Sequence, residues 1–320
     1  ISTQAGATEM KAMKDLALDL GKSTVFSASE AANAMDMLAK NGLTAQQILG
    51  GAAKAAIDLA AAAGSELEPA AAALTDTMAQ FEMQVGDLPK VVNLITGAVN
   101  QSKFDFNDFQ MAMAQAGGVA GKLGVNFRDF STALAATSSS FSSGSDAGTS
   151  FKAMLMAIGS PSSTAAGVIQ TLGLRFYEAN GQMRSMAAIA QELQDKFAGM
   201  SDQQRTQMMG DLFGTDGIRT ALALMQQGSK GLDDLSASIA KTDAAAQSAQ
   251  RMKGFNAQLE QLGGALETLA IKVADSGLLA AVTSLVTGFT GMVDKLSELD
   301  PALLNFIVTV GAVVAVIGPL

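Results

Sequence analysis

The sequence predicts a mainly α protein: elongated helical hairpins or a bundle with one small β-hairpin, ending in a coiled-coil-like helix and hydrophobic helices. Three observations predict it. Helix-start signatures recur ahead of apolar residues spaced three and four apart, and glycines follow as stops. The composition is rich in alanine and poor in aromatics, with 18 Met, 15 Phe, one Tyr and no Trp in 320 residues. Bulky side chains supply most of the buried area in a wide core, so small ones suit thin helical layers, with Met filling the gaps. Strand-like alternation beside a good turn pair occurs convincingly at one place only.

Residues 9–20 (EMKAMKDLALDL) form the first expected helix, ending at Gly21, with Met10, Met13, Leu16, Leu18 and Leu20 mostly on one side. Ser27 followed by Glu30 is a capping-box pattern, in which each side chain accepts the other residue's backbone N–H. The helix it opens turns Ala31, Ala34, Met35 and Leu38 inward and stops near Asn41-Gly42. Thr44 and Gln47 repeat the cap for a helix through Ile48, Ile57 and Leu59, which ends at Gly64. Pro69 fits the first turn of the next helix. The unit has a counterpart about 80 residues on: Phe26-Ser27 and Glu30 correspond to Phe106-Asn107 and Gln110, Gly42 and Thr44 to Gly124 and Asn126, and Gly64-Ser65 to Gly144-Ser145. Duplication and common helix-hairpin grammar both account for this.

Thr137 to Ser145 reads as a loop or helix junction, and Gly159-Ser160-Pro161 as a boundary. Between Leu172 and Met186, short apolar runs flank Asn180-Gly181, the preferred pair for a type I′ hairpin turn. Helices resume through Ile189 and Leu193, then behind the Ser201/Gln204 cap through Phe213 and Leu222 to Leu224. From Arg251 on, Phe255, Leu259, Leu262, Leu266, Leu269 and Val273 alternate spacings of four and three. That is an a/d stripe of under three heptads, read as an oligomer-packing face, with Gly263-Gly264 weakening the helix locally. Two uncharged runs follow, 276–293 and 302–320, joined by DKLSELDP. Nineteen helical residues cover roughly 28 Å, close to a hydrocarbon thickness of roughly 30 Å. Insertion in a bilayer and burial in an oligomeric bundle both suit them.

The domain reading is therefore 1–95 and 96–160 as two repeat-like helical units, 161–235 as β-hairpin plus helices, 236–275 as the heptad helix, and 276–320 as two hydrophobic helices. The chain starts at Ile1 and stops inside an apolar run, so a longer parent is expected. No signal-peptide core is visible in residues 1–20.

The residue inventory narrows the chemistry. With no Cys and no His, disulfides, thiolate nucleophiles, the usual zinc ligands and imidazole acid–base catalysis are excluded. The net charge of −9 argues against sequence-independent nucleic-acid binding, which depends on Lys and Arg meeting phosphates. The acid pairs Asp233/Asp234, Asp105/Asp108 and Glu66/Glu68 come with no second pocket element. Gly50-Gly51 and Gly117-Gly118 with Gly121 read as helix ends and crossings, since no strand precedes them and no Gly-Lys-Ser/Thr follows. No catalytic, cofactor or metal residue is assigned, and no enzyme activity is expected.

In sequence order, three stretches resemble the core region of phage tail tape measure proteins. They are Lys22 to Thr44 with the alanine run to Leu67, then Gly173 to Arg184 with Ile189, Leu193, Ser201 to Arg205 and Phe213-Gly214, and lastly the ending LETLAIKVADSGLL…LDPALLNFIVTVGAVVAVIGPL. The resemblance covers nearly the whole chain. It implies a structural protein, present in several copies in the virion tail lumen, that sets tail length during assembly in the host cytoplasm. It further implies a part in genome ejection through the host envelope. The implied partners are the tail tube protein, tail assembly chaperones, the baseplate or tail-tip hub, further copies of the chain, and the host membrane on ejection. A pore-forming or toxin-translocation module of a bacterial secretion system is the alternative, because it too joins soluble helices to an apolar hairpin.

Overall fold

The computed structural model describes residues 6–275, and these are helical almost throughout. The elements are α1 (Ala7–Ser23), α2 (Ala28–Lys40), α3 (Ala45–Gln47), α4 (Ala53–Ala63), α5 (Leu67–Phe81), α6 (Leu88–Asn100), α7 (Phe106–Lys122) and α8 (Phe127–Thr137). They continue with α9 (Gly144–Gly159), α10 (Ser163–Leu172), α11 (Met186–Phe197), α12 (Asp202–Ala240), α13 (Ala244–Met252) and α14 (Phe255–Asp275). A π-helical turn, Ile48–Ala52, joins α3 to α4. The chain divides into two units, Ala34–Arg251 and Gly6–Asn33 with the segment from Met252 onward. The uncharged runs 276–293 and 302–320 lie outside the described residues.

The expected caps form. Ser27 N–H donates to Glu30 Oε2 at 2.7 Å while Glu30 N–H donates to Ser27 Oγ at 3.1 Å. Thr44/Gln47 and Ser201/Gln204 pair in the same reciprocal way. Each cap satisfies backbone donors that the first helical turn leaves without an intrahelical partner. The counterpart of Ser27 is not Asn107, however. Asp105 caps α7, its carboxylate accepting from Asp108 N–H at 2.8 Å. Ser102 and Phe104 then repeat the arrangement of Thr24 and Phe26: in each pair the phenylalanine N–H donates to the preceding hydroxyl at 3.2 Å. The Gly42/Thr44 and Gly124/Asn126 correspondence holds, with both glycines at positive φ and both polar residues as caps. Gly64 ends α4, whereas Gly144 opens α9, so that pair is not equivalent.

In the larger unit, α4 and α5 form an alanine-rich corner with axes bent by 117°. Ala52, Ala56, Ala60, Ala70, Ala71 and Ala73 are fully buried there, and side chains this small let helix axes approach closely. Helix α5 packs on α7, α7 on α9, and α9 on α12, which also meets α6, α8, α10 and α11. The α7–α9 contact depends on missing side chains. A Cβ at Gly144 would overlap the Asp108 carbonyl, and one at Gly148 would lie 2.5 Å from the Ala112 carbonyl oxygen. Phenylalanines from three helices concentrate the bulky packing: Phe81 lies 5.1 Å from Phe127 and 5.2 Å from Phe130, and Phe130 lies 5.7 Å from Phe151. Tilted and edge-on pairs such as these add about 0.5–1.5 kcal/mol each beyond the area they bury.

The predicted β-hairpin shrinks to a single antiparallel bridge between Tyr177 and Met183, and no longer strand forms among the described residues. Its turn also differs from the expected type. Gly181 has φ +82 but Asn180 does not take positive φ, which a type I′ turn requires at both positions. Instead Gly181 N–H donates to Glu178 O at 3.0 Å and Glu178 N–H to Gln182 O at 2.8 Å, the pattern of a type I turn closed by a left-handed glycine. The Asn180 carboxamide accepts from Gln182 N–H at 3.0 Å, an Asx-type bond that holds its backbone away from the left-handed region.

Candidate functional site

In the smaller unit, α14 packs against α1. The stripe that α1 buries is Met13, Ala17 and Gly21, with Leu18 beside it, while Met10 stays exposed. The α14 face that meets it is glycine and threonine rather than leucine. A Cβ on Gly264 would meet the Gly21 carbonyl oxygen, and Thr268, one turn on, is buried. Gln261 Nε2 donates to Ser23 O at 3.2 Å, and Ser29 Oγ donates to the Glu267 carboxylate. Gly264 therefore sets a close crossing, which outweighs the helix propensity it sacrifices.

With that face turned inward, the leucines point elsewhere. Leu262 is 49% exposed and Leu269 is 53% exposed, with Leu266 half-buried between them. At 3.6 residues per turn these three share one side of the helix, roughly opposite Gly264. The side chains of Phe255, Leu259 and Val273, the other members of the stripe, lie outside those described.

The region around Asn180-Gly181 is held by one arginine. Arg184 donates through Nη1 to Glu192 Oε2 at 3.1 Å and to Arg175 O at 2.8 Å, and its Nε lies 3.6 Å from Glu178. This clamps the bridge to α11, where the Glu192 side chain is 9% exposed. The N-terminus of α11 is tied to α8 as well, because Met186 N–H donates to Asp129 Oδ2 at 3.3 Å. Burial pushes the Asp129 carboxyl above its ordinary range; the Met186 bond, Arg128 and Asn126 pull it down, and Asp233 pushes it up. The sequence gives no sign of this tie, since residues 57 apart share no local pattern.

Three carboxylates of the acid pairs have structural roles. Asp105 caps α7, and Asp108 accepts from Gly144 N–H at 2.8 Å across the α7–α9 contact. Asp234 pairs with Lys230 one turn before it. Among the described residues no cluster of His, Cys, Asp and Glu is placed to hold a metal ion, and no single helix is long and apolar enough to cross a membrane.

Residues 14–214 match the family model of phage-related minor tail proteins. The chain belongs to that family. It is 29% identical to a tape measure protein of Pneumococcus phage Dp-1, across 99% of this chain and 28% of that protein. It is 26% identical to a probable tape measure protein of Escherichia phage P2, across 93% of this chain and 36% of that one. The chain thus spans about a third of the length of these relatives. No solved structure matches it. The family match covers the alanine corner, the α7–α9 contact and the Arg184 clamp, and ends at Gly214 inside α12, so α14 with its exposed leucines lies beyond it.

Proposed function

We propose that this chain is the core segment of a tape measure protein, which sets tail length during phage tail assembly from within the tail lumen. The observation that carries this is the likeness, across almost the entire chain, to a tape measure protein and a probable tape measure protein of phages from different bacteria. Neither relative suggests a toxin-translocation module. The helical content supports the same reading, because a helix converts residue count into length at about 1.5 Å per residue.

The exposed leucine row of α14 supports assembly in several copies, with Phe255, Leu259, Leu262, Leu266, Leu269 and Val273 as the seam. The tube protein, assembly chaperones and the baseplate or tip hub would be the other contacts. Release at ejection, with the runs 276–293 and 302–320 meeting the host envelope, completes the proposed cycle. The length role is tested by deleting helical stretches in frame from the parent gene and measuring tails by electron microscopy. Removal of fifty helical residues is expected to shorten the tail by about 75 Å. Tails of unchanged length would overturn the assignment.

A further inference from the structure

Helix ends in the larger unit leave an open cleft of about 570 Å³ between the last turn of α5, the first half of α6 and the α7–α8 turn. That volume falls within the range of clefts that take small ligands and short peptide segments. Its floor is core: Leu94, Val125 and Phe127 are all buried, with Phe81 half-buried over them. Its rim is charged and strongly biased, with Lys90, Lys122 and Arg128 against the single carboxylate of Glu82.

The bias runs against the rest of the molecule, since three cations and one anion make +2 locally in a chain of −9. None of the three cations has a carboxylate within ion-pair distance among the described residues, although Arg128 is attracted to its neighbour Asp129, whereas Arg184, Arg205 and Arg219 of the same unit are each held by a carboxylate. An excess of charge of one sign around an apolar floor concentrates field in the cleft and favours a counter-charged occupant. We propose that this cleft binds a short acidic segment of a partner protein, with a leucine or phenylalanine side chain on the floor and flanking carboxylates on Lys90, Lys122 and Arg128. A polyphosphate backbone suits it less well, because the floor has no use for a fully polar ligand and Glu82 stands on the rim. Glu82, the left-handed residue that ends α5, puts one carboxylate on the rim, and this disfavours acid at its own edge.

The test uses the 320-residue chain and a fluorescein-labelled peptide, Asp-Leu-Asp-Phe-Glu, with its uncharged counterpart Asn-Leu-Asn-Phe-Gln, read by fluorescence anisotropy. The acidic peptide is expected to bind at least tenfold more tightly than the amide form. The double variant Lys122→Glu/Arg128→Glu should lose at least tenfold in affinity, and Glu82→Gln should gain about twofold to fivefold, as expected for one exposed like charge. Circular dichroism of each variant separates lost binding from lost fold, and the Glu82→Gln gain cannot arise from unfolding. Equal binding of the two peptides, no response to charge reversal, or tighter binding of a twenty-residue oligothymidylate would overturn the proposal. So would a change in sedimenting mass on charge reversal, which would make a second copy the occupant. Each outcome is independent of whether the protein sets tail length.

Discussion

At the scale of single residues, the informative groups are polar ones that the fold partly encloses. Asp129 bridges α8 to the start of α11, accepting from Met186 N–H, yet burial outweighs that bond and holds its carboxyl above the usual value of 3.8. A carboxyl that binds its proton more tightly folded than unfolded costs stability once ionised, and the cost is relieved as pH falls through the raised value. Asp129→Asn keeps an oxygen to accept from Met186 and removes the charge. It should therefore raise the melting temperature at pH 7, and the gain should close as the pH falls toward 4. A lower melting temperature for the Asn variant at pH 7 would mean that attraction to Arg128 and the helix N-terminus outweighs burial.

At the scale of elements, α12 spans 39 residues but is broken twice: Gly214 has φ 69 and ψ −179, and Gly228 has φ 62 and ψ −174. That region of backbone space is nearly closed to residues with a Cβ. Nothing lies within 4 Å of a Cβ placed on Gly214, so its requirement is conformational rather than steric toward neighbours. Gly210, four residues earlier in the same helix, also has open space around it but an ordinary helical φ. Gly214→Ala should destabilise the protein by about 1–3 kcal/mol. Gly210→Ala should stabilise it by about 0.5–1 kcal/mol. Chemical denaturation of both variants checks this, and equal effects would show that the break at Gly214 is not required. The contrast also marks how far sequence reading reaches. Caps at Ser27, Thr44 and Ser201 are legible because their partners sit three residues away. The two breaks in α12 are not, because Gly210, Gly214 and Gly228 look alike until the elements packed around α12 fix its path. At Asn180-Gly181 the dipeptide alone does not fix the turn type, since the Asx bond to Gln182 selects between two turns that share it.

At the scale of the whole molecule, the proposed assembly in several copies requires an acidic, alanine-rich chain to associate with itself. Like net charges repel, so association must rest on a local apolar surface. The heptad spacing was legible in the sequence, but the face of α14 that meets α1 was not. Gly264, which reads as a weakness in the helix, proves to be the contact, and this leaves Leu262 and Leu269 open. Burying a fully exposed leucine side chain is worth roughly 1.5–3 kcal/mol, so leucines already half covered would contribute about half of that each to a seam. Leu262→Glu with Leu269→Glu places two charges where side chains are already about half exposed, so folding should change by no more than about 0.5 kcal/mol per site. The expected outcome is a drop in sedimenting mass to that of a single chain, with a melting curve close to the parent's. The parent chain sedimenting as a monomer, or the double variant keeping the parent's oligomeric mass, would remove this seam from the assembly. A variant that unfolded would instead show that α14 uses its leucines within its own copy.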